Sequence, residues 1–403
     1  MTMSKSANDV VITGVGIVTS QGVGKEVHTA LLTADQPPAV RIETERFAPY
    51  PVHPLPEIDW SQQIPKRGDQ RQMENWQRLG VFAAGLALDD AGFKDDLEAC
   101  SSMDMIVAAG GGERDITVDS LIVDEGLKRN DRERLLNEKL TTELRPTLFL
   151  AQLSNLMAGN ISIVHKVTGS SRTFMGEEGA GISAVETAFA RIKAGQSTHT
   201  LVGGAFVAER QDVLLLIEAI QGHARGEWQP LWARKAEDGG GMILGSVGAF
   251  LVLESRAHAE ARGAHIYAVI DAIEGDRGSR EAGRLETRLE RLLEPAKELA
   301  GEGTVVFCGT TGFQDLAARE QAVLEATVPG AALRAYGGLT GHALETQFPL
   351  GLALAALTLD GRAKVPPFDA GQERAMTAAA TTAVVTTVGH VRGEGVALLS
   401  ANA

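Results

Sequence analysis

Residues 10–18 read VVITGVGIV, a run of mostly β-branched residues interrupted by Gly14 and Gly16. Such a run is typical of a buried β-strand, and we expect the two glycines to close it with a tight turn. Farther along the chain, apolar runs of strand length alternate with segments of helical period, such as residues 76–90 and 181–194. This alternation predicts an α/β protein in which largely parallel sheets are covered by helices on both faces.

The composition is that of a globular protein, because 44% of the 403 residues are hydrophobic and 22% are charged. This length favours two domains or one large duplicated fold. A net charge of −14, without any Lys/Arg run, argues against nucleic-acid binding. The first nine residues lack the apolar segment of a secretory signal, and the longest apolar run, 350–359, is too short to span a bilayer. We therefore expect a cytoplasmic, soluble protein.

The sequence offers no cofactor or metal motif. Its two cysteines are far apart and provide neither a disulfide framework nor a zinc motif. The pair Gly14 and Gly16 suggests a dinucleotide site, but Thr19 stands where the third glycine is needed. The glycine triplets 110–112 and 239–241 lack the Lys-Ser/Thr of a phosphate loop. We therefore predict no cofactor and no metal.

Four stretches together resemble the β-ketoacyl-[acyl carrier protein] synthases of the thiolase superfamily. They are residues 10–22 with Thr19 and Gly22, residues 154–162 (SNLMAGNIS) followed by Gly169, residues 250–268 with FLVLE, ARGA and IYA, and residues 340–342 (TGH). The stretches follow the family's order and spacing and cover nearly the whole chain. The resemblance implies a thiolase-like duplicated fold, with layered mixed sheets covered by helices and halves at residues 1–265 and 266–403. It also implies a dimer across the central strands and an acyl tunnel that meets the dimer interface.

The family's nucleophile is replaced by a carboxylate in this chain. In the family, a cysteine lies nine residues after the glycine that Gly169 resembles, and here that position is Glu178. A shift of one residue would place Glu177 there, with the same chemistry. The start of a helix favours a thiolate, and it tolerates a carboxylate equally well. A carboxylate is nevertheless a poor acyl acceptor from a thioester, because the mixed anhydride that it forms is higher in energy.

Two further family positions complete the candidate site. Cys308, in the run VVFCGT at residues 305–310, stands where the family has its first active-site histidine. A thiol donates hydrogen bonds weakly and carries no positive charge near neutral pH. The second histidine of the family is retained as His342. The predicted site is therefore Glu178, Cys308 and His342, with the first two positions substituted.

Three more departures concern the surroundings of this site. The lysine that the family has shortly before its second histidine is absent from residues 335–338 (AYGG). The glutamate that supports this lysine in the family is absent as well, since residues 245–248 read GSVG. The glycine-rich loop with a phenylalanine beside the nucleophile is replaced by GHVRG at residues 389–393. Losing these partners together indicates a relaxed catalytic demand rather than one exchanged mechanism.

Several roles stay open for the individual residues. Glu178 either repels a malonyl carboxylate, or hydrogen-bonds a partner, or simply starts a helix, and we favour a structural role. Cys308 is either a displaced nucleophile or, more in keeping with its surroundings, a neutral buried thiol. For His342, a functional role and a structural hydrogen bond with the backbone are equally supported. His390 is a candidate for the cap of a turn. Three apolar residues are candidates to line an acyl tunnel, although such residues are core by default: Phe149, Met157 and Phe174.

Three hypotheses of function follow from this resemblance. The first is a non-condensing, chain-length-factor-like partner of an active synthase in fatty acid or polyketide biosynthesis. The second is an active condensing synthase, or a malonyl-carrier decarboxylase, with an altered set of residues. The third is a homodimeric protein that binds acyl chains. Acyl carrier protein and a homologous synthase, or a second copy of the chain, are the expected partners. A docking face for the carrier would have to gather scattered cations, and the sequence does not locate it: Lys66, Arg67, Lys128 and Arg129.

Overall fold

The computed structural model describes residues 6–225, 227–235, 237 and 240–402, with side chains except at residues 147, 149 and 151. The strands are β1 (Val10–Thr19), β2 (Gly22–Val23), β3 (Val52–His53), β4 (Asp104–Ala109), β5 (Ser171–Met175), β6 (His199–Phe206), β7 (Leu244–Gly245), β8 (Val247–Ser255), β9 (Ala268–Asp276), β10 (Thr304–Gly309), β11 (Ala332–Arg334), β12 (Thr382–Val388) and β13 (Glu394–Ser400). The helices are α1 (Lys25–Leu32), α2 (Arg67–Gln72), α3 (Asn75–Asp90), α4 (Leu97–Ser102), α5 (Ile116–Gly126), α6 (Arg132–Thr142), α7 (Pro146–Ala151), α8 (Leu156–His165), α9 (Glu178–Lys193), α10 (Gln211–Ala219), α11 (Arg256–Ala261), α12 (Arg284–Leu292), α13 (Leu316–Thr327), α14 (Gly337–Thr340) and α15 (Gln347–Asp360).

One large mixed sheet has the strand order β11-β10-β12-β13-β9-β1-β8-β6-β4-β5, with β2 added beside β1. The strands on the two sides of the β9–β1 pair repeat one topology. Numbered in chain order, the first repeat (β1, β4, β5, β6, β8) and the second repeat (β9 to β13) both have the order 3-2-4-5-1. In both repeats the second strand is parallel to the third and fourth, and the fifth is antiparallel to the fourth and first. This repetition confirms the duplicated fold of mixed sheets, while the boundary at residue 265 stays a prediction.

The expectation of largely parallel sheets is wrong. Strands β8 and β13 run antiparallel to both of their neighbours, and β1 pairs antiparallel with β9. The physical reason lies in the connections between strands. Only the short segment 389–393 joins β12 to β13, and a connection of this length can join only antiparallel neighbours.

Gly14 and Gly16 lie inside β1 and do not form the tight turn that the sequence suggested. A Cβ at Gly16 would stand 1.9 Å from the carbonyl oxygen of Ala83, and one at Gly14 would stand 2.4 Å from that of Ala87. Both carbonyls belong to α3. The glycines therefore allow this helix to press directly against the backbone of the central strand.

Residues 148–164, which have the composition of one buried helix, form the end of α7, a break and most of α8. Leu150, Leu153 and Ile163 are exposed in this region. Their apolar character is thus not explained by the core of this chain. Of the three candidate tunnel residues, Met157 lies in the core, Phe174 is partly buried, and the side chain of Phe149 lies outside the described part of the structure.

Three elements position the candidate site. Helix α9 begins at Glu178, and two residues separate it from the end of β5. Helix α15 is buried over all but its last residue and packs against α9 and β8. The third element is the turn at residues 389–393, which joins β12 to β13. Among the described residues, no helix combines the length and apolar character that a membrane crossing requires.

Candidate functional site

Glu178 is the first residue of α9, and it is completely buried. The free backbone N–H groups and the dipole of a helix start favour a negative charge at this position. Glu177, which precedes it, is exposed. The two glutamates that the sequence left as alternatives therefore have different surroundings, and only Glu178 points into the protein.

Two histidines of the second repeat converge on this carboxylate. The Nε2–H of His342 donates to Oε1 of Glu178 at 2.7 Å. The Nδ1–H of His390 donates to Oε1 at 2.9 Å and lies 3.1 Å from Oε2, and the backbone N–H of His390 donates to Oε1 at 3.2 Å. The structure thus brings together Glu178 and His342, two of the three site residues proposed from the sequence. His390, which the sequence suggested only as a turn cap, is a third member of the cluster.

The electrostatics of this cluster favour an ion pair. Burial alone would raise the pKa of Glu178, but the positive potential of His390 and the hydrogen bonds from both imidazoles hold this pKa well below its usual value. Burial alone would lower the pKa of His390, but the charge of Glu178 and its hydrogen bond raise that pKa above the ordinary range. The shifts on the two partners agree in direction, as expected for a carboxylate that faces an imidazolium.

The turn that carries His390 is anchored on its other side by arginines. The side chain of Arg280 donates to the carbonyl oxygen of Gly389 at 2.5 Å and also binds the carboxylate of Glu394. Arg288 Nε donates to the second oxygen of Glu394 at 2.9 Å, and Glu394 is completely buried. Within the turn, the N–H of Gly389 donates to the carbonyl of Gly393 at 2.7 Å.

Cys308 does not join this cluster. Its thiol is completely buried on β10 and makes only a weak contact, at 3.5 Å, with the carbonyl oxygen of Val306. Burial, reinforced by the nearby carboxylates of Glu320 and Glu373, raises the pKa of this thiol well above its usual value. The group is therefore a neutral thiol rather than a thiolate nucleophile.

A second buried carboxyl group, that of Glu345, lies beside the cluster. This residue was not identified from the sequence. Its Oε1 accepts a hydrogen bond from the N–H of Gly110 at 2.8 Å. Burial, with a contribution from the charge of Glu178, raises the pKa of Glu345 to about 8. One signal could have revealed it, because Glu345 is the single acidic residue in the apolar run between His342 and Asp360.

A cavity of about 450 Å³ adjoins the start of α9. Its wall includes Glu177 and Gly179, which flank Glu178, and Arg392 and Gly393 from the His390 turn. Phe174 contributes to the apolar part of this wall. The described residues contain no cluster of three or more His, Cys, Asp or Glu side chains arranged to hold a metal ion.

Comparison with known proteins gives a consistent result. Residues 7–259 match the family model for the N-terminal domain of β-ketoacyl synthases. The 3-oxoacyl-[acyl-carrier-protein] synthase 2 of Vibrio cholerae is 26% identical over 270 residues, which is 66% of this chain and 62% of that protein. The chain thus spans less than two thirds of the length of this relative.

Two further comparisons cover most of the chain. The ketoacyl synthase beta subunit of the tetracenomycin polyketide synthase of Streptomyces glaucescens is 28% identical over 374 residues, which is 87% of this chain and 85% of that protein. The solved structure of the ishigamide ketosynthase/chain length factor superposes with a TM-score of 0.75 at 20% identity, covering 98% of this chain and 99% of that chain.

Proposed function

Because the chain belongs to the β-ketoacyl synthase family, we propose that it is a non-condensing, chain-length-factor-like partner of an active synthase in fatty acid or polyketide biosynthesis. The observation that carries this proposal is the state of Glu178. The resemblance to the family implies a cysteine nucleophile at the start of α9. This chain instead has a buried carboxylate there, which accepts hydrogen bonds from His342 and His390.

This cluster is poorly suited to hold an acyl group. A carboxylate with a depressed pKa is a weak nucleophile, and its acyl product would be a reactive anhydride. Cys308 provides no substitute, since its neutral thiol is completely buried and contacts the carbonyl oxygen of Val306. We therefore expect the Glu178 cluster to have no catalytic role of its own, and the chain to form an assembly in which another subunit performs the chemistry.

An uncovered surface supports pairing with such a subunit. Within the described residues, β5 pairs only with β4, so its other edge is free to pair with a strand of another chain. Large apolar side chains are also exposed at the end of this strand and in the segments 123–163 and 215–220, which precede and follow it along the chain, and exposed apolar side chains are available to contact a partner. They are Val123, Leu127, Leu136, Leu140, Leu150, Leu153, Ile163, Met175, Leu215, Leu216 and Ile220.

Acyl carrier protein is the second proposed partner, as the name of the Vibrio relative suggests. Of the cations considered from the sequence, Arg129 is engaged by Asp131 and Glu138. Lys66 and Arg67 are exposed at the start of α2 and, together with Arg71, make no side-chain hydrogen bond or ion pair within the described part of the chain. These three residues, which we call the α2 cations, support docking of an acidic carrier at this point.

The test is to offer the purified chain acyl- and malonyl-carrier thioesters, first alone and then with a cysteine-bearing synthase homologue. We expect neither covalent acylation nor carbon dioxide release from the chain alone, and condensation by the mixture. Stable acylation of the isolated chain would overturn the proposal. Carbon dioxide release at enzymatic rates would favour the decarboxylase instead. A homodimer that binds fatty acids and ignores the synthase would favour an acyl-binding protein.

A matched pair of variants ties this test to the free strand edge. Met175 is 76% exposed at the end of β5, whereas Leu97 is 64% exposed on α4, outside the apolar surface. We expect Met175→Glu to abolish co-purification with the synthase and Leu97→Glu to leave it intact. Equal behaviour of the two variants would show that pairing uses another face.

A further inference from the structure

We propose that Glu178 is a conformational lock, which fixes the 389–393 turn of the second repeat onto the start of α9 in the first repeat. The geometry of the chain alone carries this inference, and it does not require the proposed pairing with a synthase. The carboxylate accepts from His342 and His390, which lie 164 and 212 residues farther along the chain. Every one of these bonds therefore joins the second repeat to the first.

The lock holds the turn by both its side chain and its backbone. Glu178 accepts from the imidazole of His390 and also from the backbone N–H of that residue, so the ring and the chain path are fixed together. The turn also packs on α9 itself, because a Cβ at Gly393 would lie 3.2 Å from the Cα of Gly179. Arg280 holds the opposite side through Gly389 and Glu394.

The charges around His390 explain why the carboxylate is the decisive partner. The acidic groups that face His390 are Glu178, the first residue of α9, and the exposed Glu177 just before it, and the basic group is Arg280. The edge of Phe313 contributes an apolar contact, with ring centroids 6.2 Å apart. Without Glu178, the imidazole would be left buried beside an arginine, with no hydrogen-bond acceptor among the described residues, and such a buried polar group is costly.

Closing the turn separates the site from the neighbouring cavity. Gly179 and Gly393, which lie too close together to leave room for an added side chain, are both part of the cavity wall. Displacing the turn would open this wall at Glu178 and would join the cavity to the buried cluster. In the locked form, His342 is 1% exposed and is not one of the residues that line the cavity.

Limited trypsin digestion of the full chain tests the lock, because Arg392 is exposed within the turn. Cleavage after Arg392 requires local opening of the turn, so its rate reports that opening. We expect Glu178→Ala to speed this cleavage by at least about tenfold and Glu178→Gln to have an intermediate effect, since the amide keeps a hydrogen bond but loses the charge. Glu177→Gln, at the exposed neighbour, is the matched control and is expected to behave as the wild type.

Cleavage within the exposed α5–α6 region, at Arg134, provides an internal reference. A selective increase after Arg392 supports the lock, whereas a general increase at both sites reports global unfolding. If Glu178→Ala does not fold, the near-isosteric Glu178→Gln decides the question.

Hydrogen exchange at the His390 amide gives a second readout, and the protection of this amide is expected to fall in both variants. Wild-type cleavage and wild-type protection in the folded Glu178→Gln and Glu178→Ala chains would overturn the proposal. Because no synthase is present in these measurements, their outcome is independent of the proposed pairing.

Discussion

At the residue scale, Glu178 and Glu345 show how two buried glutamates of one site reach opposite protonation states. Glu178 receives hydrogen bonds from two imidazoles, which keep it ionised. Glu345 receives one backbone N–H bond and no cation binds it among the described residues, so burial keeps it protonated, with its pKa raised to about 8. The negative charge of Glu178 adds to this effect, because two neighbouring carboxylates resist ionising together.

The raised pKa of Glu345 predicts a loss of stability toward alkaline pH. Between its unfolded pKa of about 4.3 and its folded pKa, the folded state holds a proton that the unfolded chain releases. The free energy of unfolding therefore falls as pH rises, by about 1.4 kcal/mol per pH unit from this group. In Glu345→Gln this term is absent, so the stability of the variant relative to the wild type should rise by roughly 2 kcal/mol between about pH 6 and about pH 8.

Urea unfolding of both proteins at the two pH values measures this difference. The exposed Glu177→Gln variant serves as the control and should follow the wild type. If the stability difference between Glu345→Gln and the wild type were the same at both pH values, Glu345 would not be the protonated group that its surroundings indicate.

How much of the site the sequence could predict depends on how far apart its partners lie along the chain. Glu178 and His342 were proposed as site residues because motif spacing places them at family positions. His390 reaches Glu178 across 212 residues, and a histidine in a glycine-rich turn carries no sign of such a contact. Cys308 was proposed from the family resemblance of residues 305–310, but its place within β10 and the burial of its thiol follow from the packing of that strand against its neighbours.

At the element scale, the contact between β1 and α3 depends on two positions without side chains. A Cβ at Gly16 would overlap the backbone carbonyl of Ala83, at 1.9 Å, and backbone atoms of a packed helix cannot rotate away. We therefore expect Gly16→Ala to cost several kcal/mol of stability or to prevent folding, as overpacking in a rigid core does. Gly111→Ala is the control, since nothing lies within 4 Å of its added methyl group, and its thermal midpoint should stay close to the wild-type value. A Gly16→Ala chain as stable as Gly111→Ala would show that α3 is free to move away from the strand.

The elements themselves were predicted where periodicity is strong and missed where it is not. The sequence indicated β1, α3 and α9 from their apolar patterns. It missed β5 and α10, and it joined α7 and α8 into one buried helix. The joining of α7 and α8 has a physical cause, because their exposed apolar side chains Leu150, Leu153 and Ile163 give the segment a composition that resembles a core. The sequence of β5, SRTFM, has no run of apolar residues that would indicate a strand.

At the scale of the whole molecule, the two repeats share both a sheet and a core. The β1–β9 pair joins the strands of the repeats into one sheet, and α15 of the second repeat packs against α1, α9 and β8 of the first. Because neither repeat can bury its share of these surfaces alone, we expect the chain to unfold in a single cooperative transition. Differential scanning calorimetry checks this expectation, and two resolved transitions with separate enthalpies would contradict it.

The charge of the whole chain makes the α2 cations a specific target for a carrier protein. A net charge of −14 repels an acidic partner at long range, so docking must rely on a local group of cations that no carboxylate of the chain neutralises. Lys66, Arg67 and Arg71 are such a group among the described residues.

Replacing each of these three cations in turn with Glu should weaken carrier binding by about 1 kcal/mol and reduce the dependence of binding on salt, because rim charges act mainly on the rate of association. Arg129→Glu is the comparison variant, since Asp131 and Glu138 already neutralise that arginine, and it should bind nearly as the wild type does. Titration of a fluorescent acyl carrier protein at low and moderate salt measures both quantities. Binding that is unchanged in the three α2 variants but lost in Arg129→Glu would move the docking face from α2 to the α5–α6 hairpin.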